Sequence, residues 1–294
     1  MVSRFTPYGG YLLEKFGCTV QKLSVNAGFT CPNRDGSIGR GGCIYCDNRS
    51  FTPSYCSAAD TVTEQLEKGK LFFGRKYPHL KYLAYFQAYT STYTSSTERL
   101  VALYREALAV EDVVGLVIGT RPDCFPQQLA DVLATINRKA GTVLVEFGAE
   151  TSHDSTLRLI NRGHTWQQTV EAVNRAKEAG IDVGLHFIMG LPGESEEMML
   201  ETVTRAVSLP VSSLKFHQLQ VIRDTPLQRR WERGEISLEL YDVDRYLDLC
   251  RKICDIVPPT IAIERFTSSS PADMLVAPKW GIKNYEFVHR LQAL

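Results

Sequence analysis

Short β-rich runs alternate with longer amphipathic segments along most of this chain, and that rhythm restricts the fold more than any other feature. Runs dense in β-branched and aromatic residues predict strands over 20–25, 82–86, 113–118, 142–147, 182–188 and 213–219. Apolar residues at helical spacing predict helices over 59–73, 97–109, 126–139, 166–179 and 196–208. In the first of these Val62, Leu66 and Phe73 are separated by charged residues; in the fourth Val170, Val173 and Ala176 oppose Glu171, Arg175 and Glu178. Gly141 and Gly180 stand where a helix end needs a residue free to enter the left-handed region. Alternation of this kind is the sequence form of a parallel sheet with helical crossovers. Six units fall short of the eight that close a barrel, so the expected fold is α/β, a partial (β/α)6 TIM-like barrel. Residues 1–225 would form the barrel with its lead-in, and 226–294 a C-terminal extension packed on its flank. Working residues are expected at the C-terminal ends of the strands.

With 44% hydrophobic and 22% charged residues in 294, the chain can bury such a sheet, and the composition is not that of a disordered protein. The longest apolar run, 183–191, is nine residues and contains His186, too short for a membrane span. The start, Met1-Val2-Ser3-Arg4-Phe5-Thr6-Pro7, lacks the apolar core of a signal peptide, and a cytoplasmic protein is expected. Thirty-three basic residues balance thirty-three acidic ones, so contact with RNA requires a local patch. Lys68, Lys70, Arg75, Lys76 and Lys81 form one candidate, and Arg223, Arg229, Arg230 and Arg233 another, with Tyr77, Tyr82 and Trp231 interleaved as stacking surfaces. Glu64, Glu67 and Glu232 allow the opposite reading, a solvated and balanced helix face.

Three of the eight cysteines, Cys31, Cys43 and Cys46, fall in one loop after the first predicted strand, spaced C-x11-C-x2-C. Gly36, Gly39, Gly41 and Gly42 let this loop fold tightly enough to bring thiolates to one metal centre. Three ligands leave one position open, the condition for a reactive rather than a structural site. An iron–sulfur cluster, a zinc site completed by Cys56 or His164, and three unrelated buried cysteines remain open on spacing alone. Cys250 and Cys254, four apart beside Leu247, read as helix core. Cys124 follows a strand end and could face the cavity.

The loop resembles that of the radical S-adenosylmethionine (SAM) superfamily, whose C-x-x-x-C-x-aromatic-C motif binds a [4Fe–4S] cluster with one iron open to SAM. Tyr45 holds the aromatic position. The longer first spacing is similar to that of the branch around the Elongator catalytic subunit, and the string from Cys31 to Cys46 resembles the bacterial YhcC/YtqA-type family. Later motifs extend the resemblance over nearly the whole chain. They are Gln87 to Tyr93, Gly119-Thr120-Arg121-Pro122-Asp123, Glu146 to Thr151, Asn161-Arg162-Gly163-His164, His186 to Glu194, Lys215-Phe216-His217, and Pro278-Lys279-Trp280. Glu150 departs from the Gln of Elongator-like members.

The resemblance implies an enzyme that reductively cleaves SAM to a 5′-deoxyadenosyl radical, with Cys31, Cys43 and Cys46 on the cluster. It implies SAM contacts from Tyr45, Gln87, Tyr89, Thr90, Thr120, Arg121, Glu150, Arg162, His186, Gly190 and Leu191, and substrate-side roles for Lys215, His217 and Trp280. The implied substrate is the C5 side chain of wobble uridine in tRNA, taken from carboxymethylaminomethyl to aminomethyl, with a reductant such as flavodoxin or ferredoxin. A small metabolite such as a tetrapyrrole is the competing substrate, and a zinc-stabilised binding module the non-enzymatic alternative.

Overall fold

The computed structural model describes residues 4–74 and 80–293; Met1, Val2 and Ser3, and Arg75, Lys76 and Tyr77 of the first basic cluster, lie outside the described residues. A two-residue strand β1 (Thr6–Pro7) leads into α1 (Tyr8–Phe16) and β2 (Val20–Val25). The cysteine loop separates β2 from α2 (Val62–Gly74). Four strand–helix units follow: β3 (Lys81–Phe86) and α3 (Thr97–Ala109), then β4 (Val113–Thr120) and α4 (Gln127–Lys139). Next come β5 (Thr142–Glu150), with α5 (Asp154–Leu159) and α6 (Trp166–Glu178), and β6 (Asp182–Met189) with α7 (Glu196–Val207). The chain ends through β7 (Ser213–Gln218), β8 (Val221–Ile222), α8 (Pro226–Glu232), α9 (Val243–Ile256), β9 (Ala262–Ile263), β10 (Leu275–Ala277) and α10 (Asn284–Ala293).

Eight strands form one parallel sheet in the order β1-β9-β7-β6-β5-β4-β3-β2. The expected six are all present, and the two extra strands extend its β7 edge. They are two residues long and carry no periodicity, which is why the sequence does not announce them. The sheet is curled: Lys22 on edge strand β2 reaches Glu264, just past β9 near the opposite edge, at 2.6 Å. The result is an α/β partial barrel.

Strand periodicity of two sorts the side chains onto the two faces. Leu23, Phe86, Ile118, Phe147, Leu185 and Phe216 face outward into the main core under the helices. On the inner face, Tyr8, Leu12, Leu83, Tyr85, Val117, Leu144 and Ala262 form an apolar plug. The residues that alternate with the outward set, among them Lys22, Glu146, His186 and Lys215, leave a polar interior above this plug. Strands β4 and β5 run two and three residues beyond their expected ends, to Thr120 and Glu150, because parallel pairing continues after hydrophobicity stops.

Gly180 ends α6 with φ 72, the expected left-handed cap. Gly141 differs: at φ 156 it lies outside the left-handed well but still where L side chains rarely go, and a Cβ would also meet Leu108 at 2.9 Å. Cys250 and Cys254 are buried in α9, which packs on α7. Among the described residues no helix is long and apolar enough to cross a membrane.

Candidate active site

The loop after β2 is folded by its own backbone. Arg34 and Asp35 N–H donate to the Cys31 carbonyl, Ile38 and Gly39 to Pro32, Gly42 to Asn33 and Cys46 to Cys43. Gly36, Gly41 and Gly42 adopt φ 97, 81 and 79, open to glycine at little cost. Gly39 is required for a different reason: a Cβ there would stand 2.2 Å from Asn33 Oδ1. Asn33, 1% exposed, is the pin of the loop, donating through Nδ2 to the Asn161 carbonyl and to Cys43 Sγ at 3.7 Å. Asn161 returns the contact by donating to the Gly42 carbonyl at 2.8 Å, and Ile44 N–H donates to Ile160. The turn after α5 thus holds the cysteine loop over the open end of the sheet.

Cys31, Cys43 and Cys46 line one cavity of about 220 Å³ between this loop and the strand ends. Cys43 Sγ faces a second donor, Arg162 Nη1, at 3.8 Å. Arg162 is fixed by the Gly148 carbonyl at 2.6 Å and by Glu150 at 3.3 Å, while its buried Nε has no partner among the described residues. Burial pushes the Cys46 thiol up to about 12, with Cys43 adding to the effect and Arg34 and Arg162 opposing it. Metal ligation displaces that proton. A zinc ion with thiolate bonds of about 2.3 Å draws its sulfurs to within roughly 4 Å of one another. Among the described residues no three His, Cys, Asp or Glu side chains converge on such a point. Cys31, Cys43 and Cys46 line the same cavity, and a cluster that takes one sulfur per iron would draw on all three. Neither candidate fourth zinc ligand lines that cavity. Cys56 Sγ donates to the Ser24 carbonyl at 2.8 Å, and His164 is buried with neither ring nitrogen partnered among the described residues.

The same cavity gathers Tyr45, Gln87, Tyr89, Thr90, Thr120, Arg121, Glu150, Arg162 and His186 from successive strand ends, with Lys215 and His217. Tyr89 is held at φ 57 by a bond from its N–H to Asn48 Oδ1, and Arg34 lies over its ring at 5.7 Å. Arg121 is locked by Asp123 at 2.8 Å and donates to the Arg162 carbonyl at 2.8 Å. Three expected site residues are not brought there. Gly190 N–H is spent on Met199 Sδ, Leu191 packs with Ile44 and Leu157, and Trp280 donates to the Tyr241 carbonyl and stacks on Phe287. Cys124 does not line the cavity either, and its thiol is pushed up to about 12 by burial and Asp123.

Sequence reasoning missed the ionic layer beneath. Lys22 bridges Glu146 and Glu264, Lys215 bridges the same two carboxylates at 3.6 and 2.9 Å, and His186 Nε2 lies 2.7 Å from Glu146. Burial alone would raise the Glu146 pKa, but Lys22, Lys215 and His186 outweigh it and hold the carboxyl well below the usual range. The carboxylates more than offset burial at Lys22, whereas burial prevails at Lys215 and lowers it. Burial also lowers His186, and it drives His217 down to about 3, with Arg265 contributing. The one available signal was Glu146 itself, a charge inside the apolar run 143–147.

Of the first basic cluster, Lys68 pairs with Asp60, Lys70 with Glu67 and Lys81 with Asp112, a balanced face among the described residues. In the second, Arg230 and Arg233 share Glu235, while Arg223 and Arg229 donate to the backbone carbonyls of Asp273 and Asp224.

A profile of the radical SAM superfamily matches residues 30–206, and one of the radical SAM C-terminal domain matches 211–293. Protein YtqA of Bacillus subtilis is 36% identical over 283 residues, spanning 96% of this chain and 87% of YtqA. The tRNA uridine(34) acetyltransferase of Methanocaldococcus infernus is 29% identical over 167 residues, 55% of this chain and 30% of that protein. Among solved structures, an N-terminally deleted Elp3 from Methanocaldococcus infernus superposes with a TM-score of 0.64 at 19% identity, covering 92% of this chain and 61% of that one. At that identity the likeness is one of fold.

Proposed function

The chain belongs to the radical SAM superfamily, and on that premise we propose that it remodels the C5 side chain of wobble uridine in tRNA, converting carboxymethylaminomethyl to aminomethyl. Cys31, Cys43 and Cys46 would hold a [4Fe–4S] cluster with one iron left for SAM. The observation that carries this is their shared cavity, with Asn33 and Arg162 aimed at Cys43 Sγ. Bound together and supplied with an electron by a flavodoxin- or ferredoxin-type reductant, the cluster and SAM provide a 5′-deoxyadenosyl radical for hydrogen abstraction.

The protein's own part is placement. Arg162 and Asn33 stabilise the Cys43 thiolate and orient it, as outer-sphere donors do for metal ligands. Gln87 accepts from Ser24 Oγ at 3.2 Å, so its amide N–H₂ is the end left for a ligand. Thr90, Thr120 and Arg121, held by backbone and side-chain bonds, would meet the polar groups of SAM without reorganisation. His186, braced from behind by Glu146, presents a fixed ring edge to the cavity.

Similarity over 55% of the chain to a tRNA uridine(34) acetyltransferase supports the choice of substrate. Mass spectrometry of tRNA nucleosides from a strain lacking this gene tests it. Carboxymethylaminomethyluridine should accumulate at the expense of its aminomethyl derivatives; an unchanged wobble-uridine profile contradicts the reading.

A further inference from the structure

The charged groups around the cavity balance in pairs, with one exception inside it. Lys22 and Lys215 face Glu146 and Glu264, Arg162 faces Glu150, and Arg121 faces Asp123. Arg34, at the exposed rim, donates to the Cys46 carbonyl and covers Tyr89. Arg265 has none of this. Its half-buried side chain lines the cavity, makes no hydrogen bond or ion pair with any described residue, and has a buried, unpartnered Nε.

Its backbone is nevertheless rigidly placed. Phe216 N–H donates to the Arg265 carbonyl at 2.9 Å, Glu264 N–H to Leu214 at 2.8 Å, and Ser268 N–H to Gln218 Oε1 at 3.1 Å. The run 264–268 thereby continues the sheet beside β7 and sets Arg265 in the wall next to His217 and Lys215. The carbonyl of Arg265 is held by Phe216 on β7, whereas the cysteine loop is tied to Ile160 and Asn161 in the turn after α5, so the two belong to different parts of the cavity lining.

The half-buried guanidinium carries a buried Nε and no counter-charge among the described residues, and a negative group joining it would satisfy that donor and complete the pairing seen elsewhere in the cavity. Its planar fork matches a carboxylate, which it can grip with two parallel bonds. We propose that Arg265 is the anchor for a carboxylate carried by the substrate, fixing the substrate in a different part of the cavity from the cysteines. This rests on reading the cavity as the radical SAM active site. The carboxylate of SAM is the other possible source of the same chemistry, and the experiment separates the two.

Acetate serves as the probe, titrated into anaerobically reconstituted holoenzyme with SAM present and followed by the line width of its methyl proton signal. Saturable binding is expected, weakened about tenfold or more in Arg265→Gln, while SAM affinity by equilibrium dialysis changes by less than about twofold. Arg265→Lys, which keeps the charge and loses the fork, should retain binding at an intermediate level, and it carries the test if the Gln variant does not fold. Equal acetate binding by wild type and variants overturns the proposal, as does a loss of SAM affinity matching the loss of acetate. The tRNA reading fails separately: an unchanged nucleoside profile with Arg265-dependent acetate binding removes wobble uridine and leaves the anchor. A changed profile with no acetate site does the reverse.

Discussion

Arg162 Nη1 stands 3.8 Å from Cys43 Sγ while its Nη2 donates to the Gly148 carbonyl at 2.6 Å, so one side chain ties the cysteine loop to the C-terminal end of β5. The guanidinium supplies positive charge where a buried thiolate needs it and does so from a fixed position.

Arg162→Gln removes that charge but keeps an amide donor. Iron affinity of the reconstituted protein should fall by about 10–100-fold, the usual cost of losing an outer-sphere partner. Retention of iron against a graded chelator series measures it, and Arg162→Lys should lie between wild type and Gln. Unchanged retention would mean that the contact is incidental.

Gly39→Ala is a smaller change with a comparable effect. The added methyl would occupy the space of Asn33 Oδ1, 2.2 Å away, and Asn33 is buried. The loop must shift, carrying the Asn33 donor away from Cys43. Thermal stability should drop by about 1–3 kcal/mol, as for other overpacked sites, and iron loading should fall with it. Gly10→Ala, with open space around its Cβ, is the matched control.

Glu146→Gln leaves Lys22 and Lys215 with Glu264 as their shared carboxylate. Breaking a buried ionic pair costs about 3–5 kcal/mol, here a fall in Tm of roughly 6–12 °C. The measurement is thermal unfolding by circular dichroism at pH 7. A shift within a degree or two would show that the layer is electrostatically redundant.

Acid should destabilise the fold in two stages. His217, at about 3 when folded, cannot take the proton that the unfolded chain accepts near 6.5, and His186 is lowered in the same sense. Stability from these histidines is complete above 6.5 and declines as the pH falls toward 3. The depressed Glu146 adds a further loss, beginning below its ordinary value of 4.5 and completed as the pH falls through its folded pKa. His217→Gln should flatten the slope of Tm between pH 6.5 and 4.5; an unaltered slope assigns the effect elsewhere.

The fold was legible where periodicity was long. Val20–Val25 and Thr97–Ala109 match the expected bounds, because each is an uninterrupted pattern with turn or cap residues at its ends. α1, β1 and β9 were not legible: nine residues with two glycines, and two pairs with no period, give no pattern to read. Motifs at strand ends lead to residues that share one cavity, among them Cys31, Gln87, Arg121 and Arg162. Leu191 instead packs in a small core with Ile44, and the Trp280 ring completes an aromatic stack with Tyr246 and Phe287, placements that only the tertiary packing reveals. Lys22, Glu264 and Arg265 could not be found from sequence, since only the curl of the sheet brings residues about 240 apart in the chain to one interior.

The most direct test is paramagnetic resonance of anaerobically reconstituted protein reduced with dithionite, recorded without and with SAM. A reduced cubane signal that shifts when SAM is added, accompanied by 5′-deoxyadenosine in the mixture and absent when Cys31, Cys43 and Cys46 are all changed to Ala, is the predicted result. A protein that gives no signal and no deoxyadenosine, or a triple variant that gives both, contradicts the account.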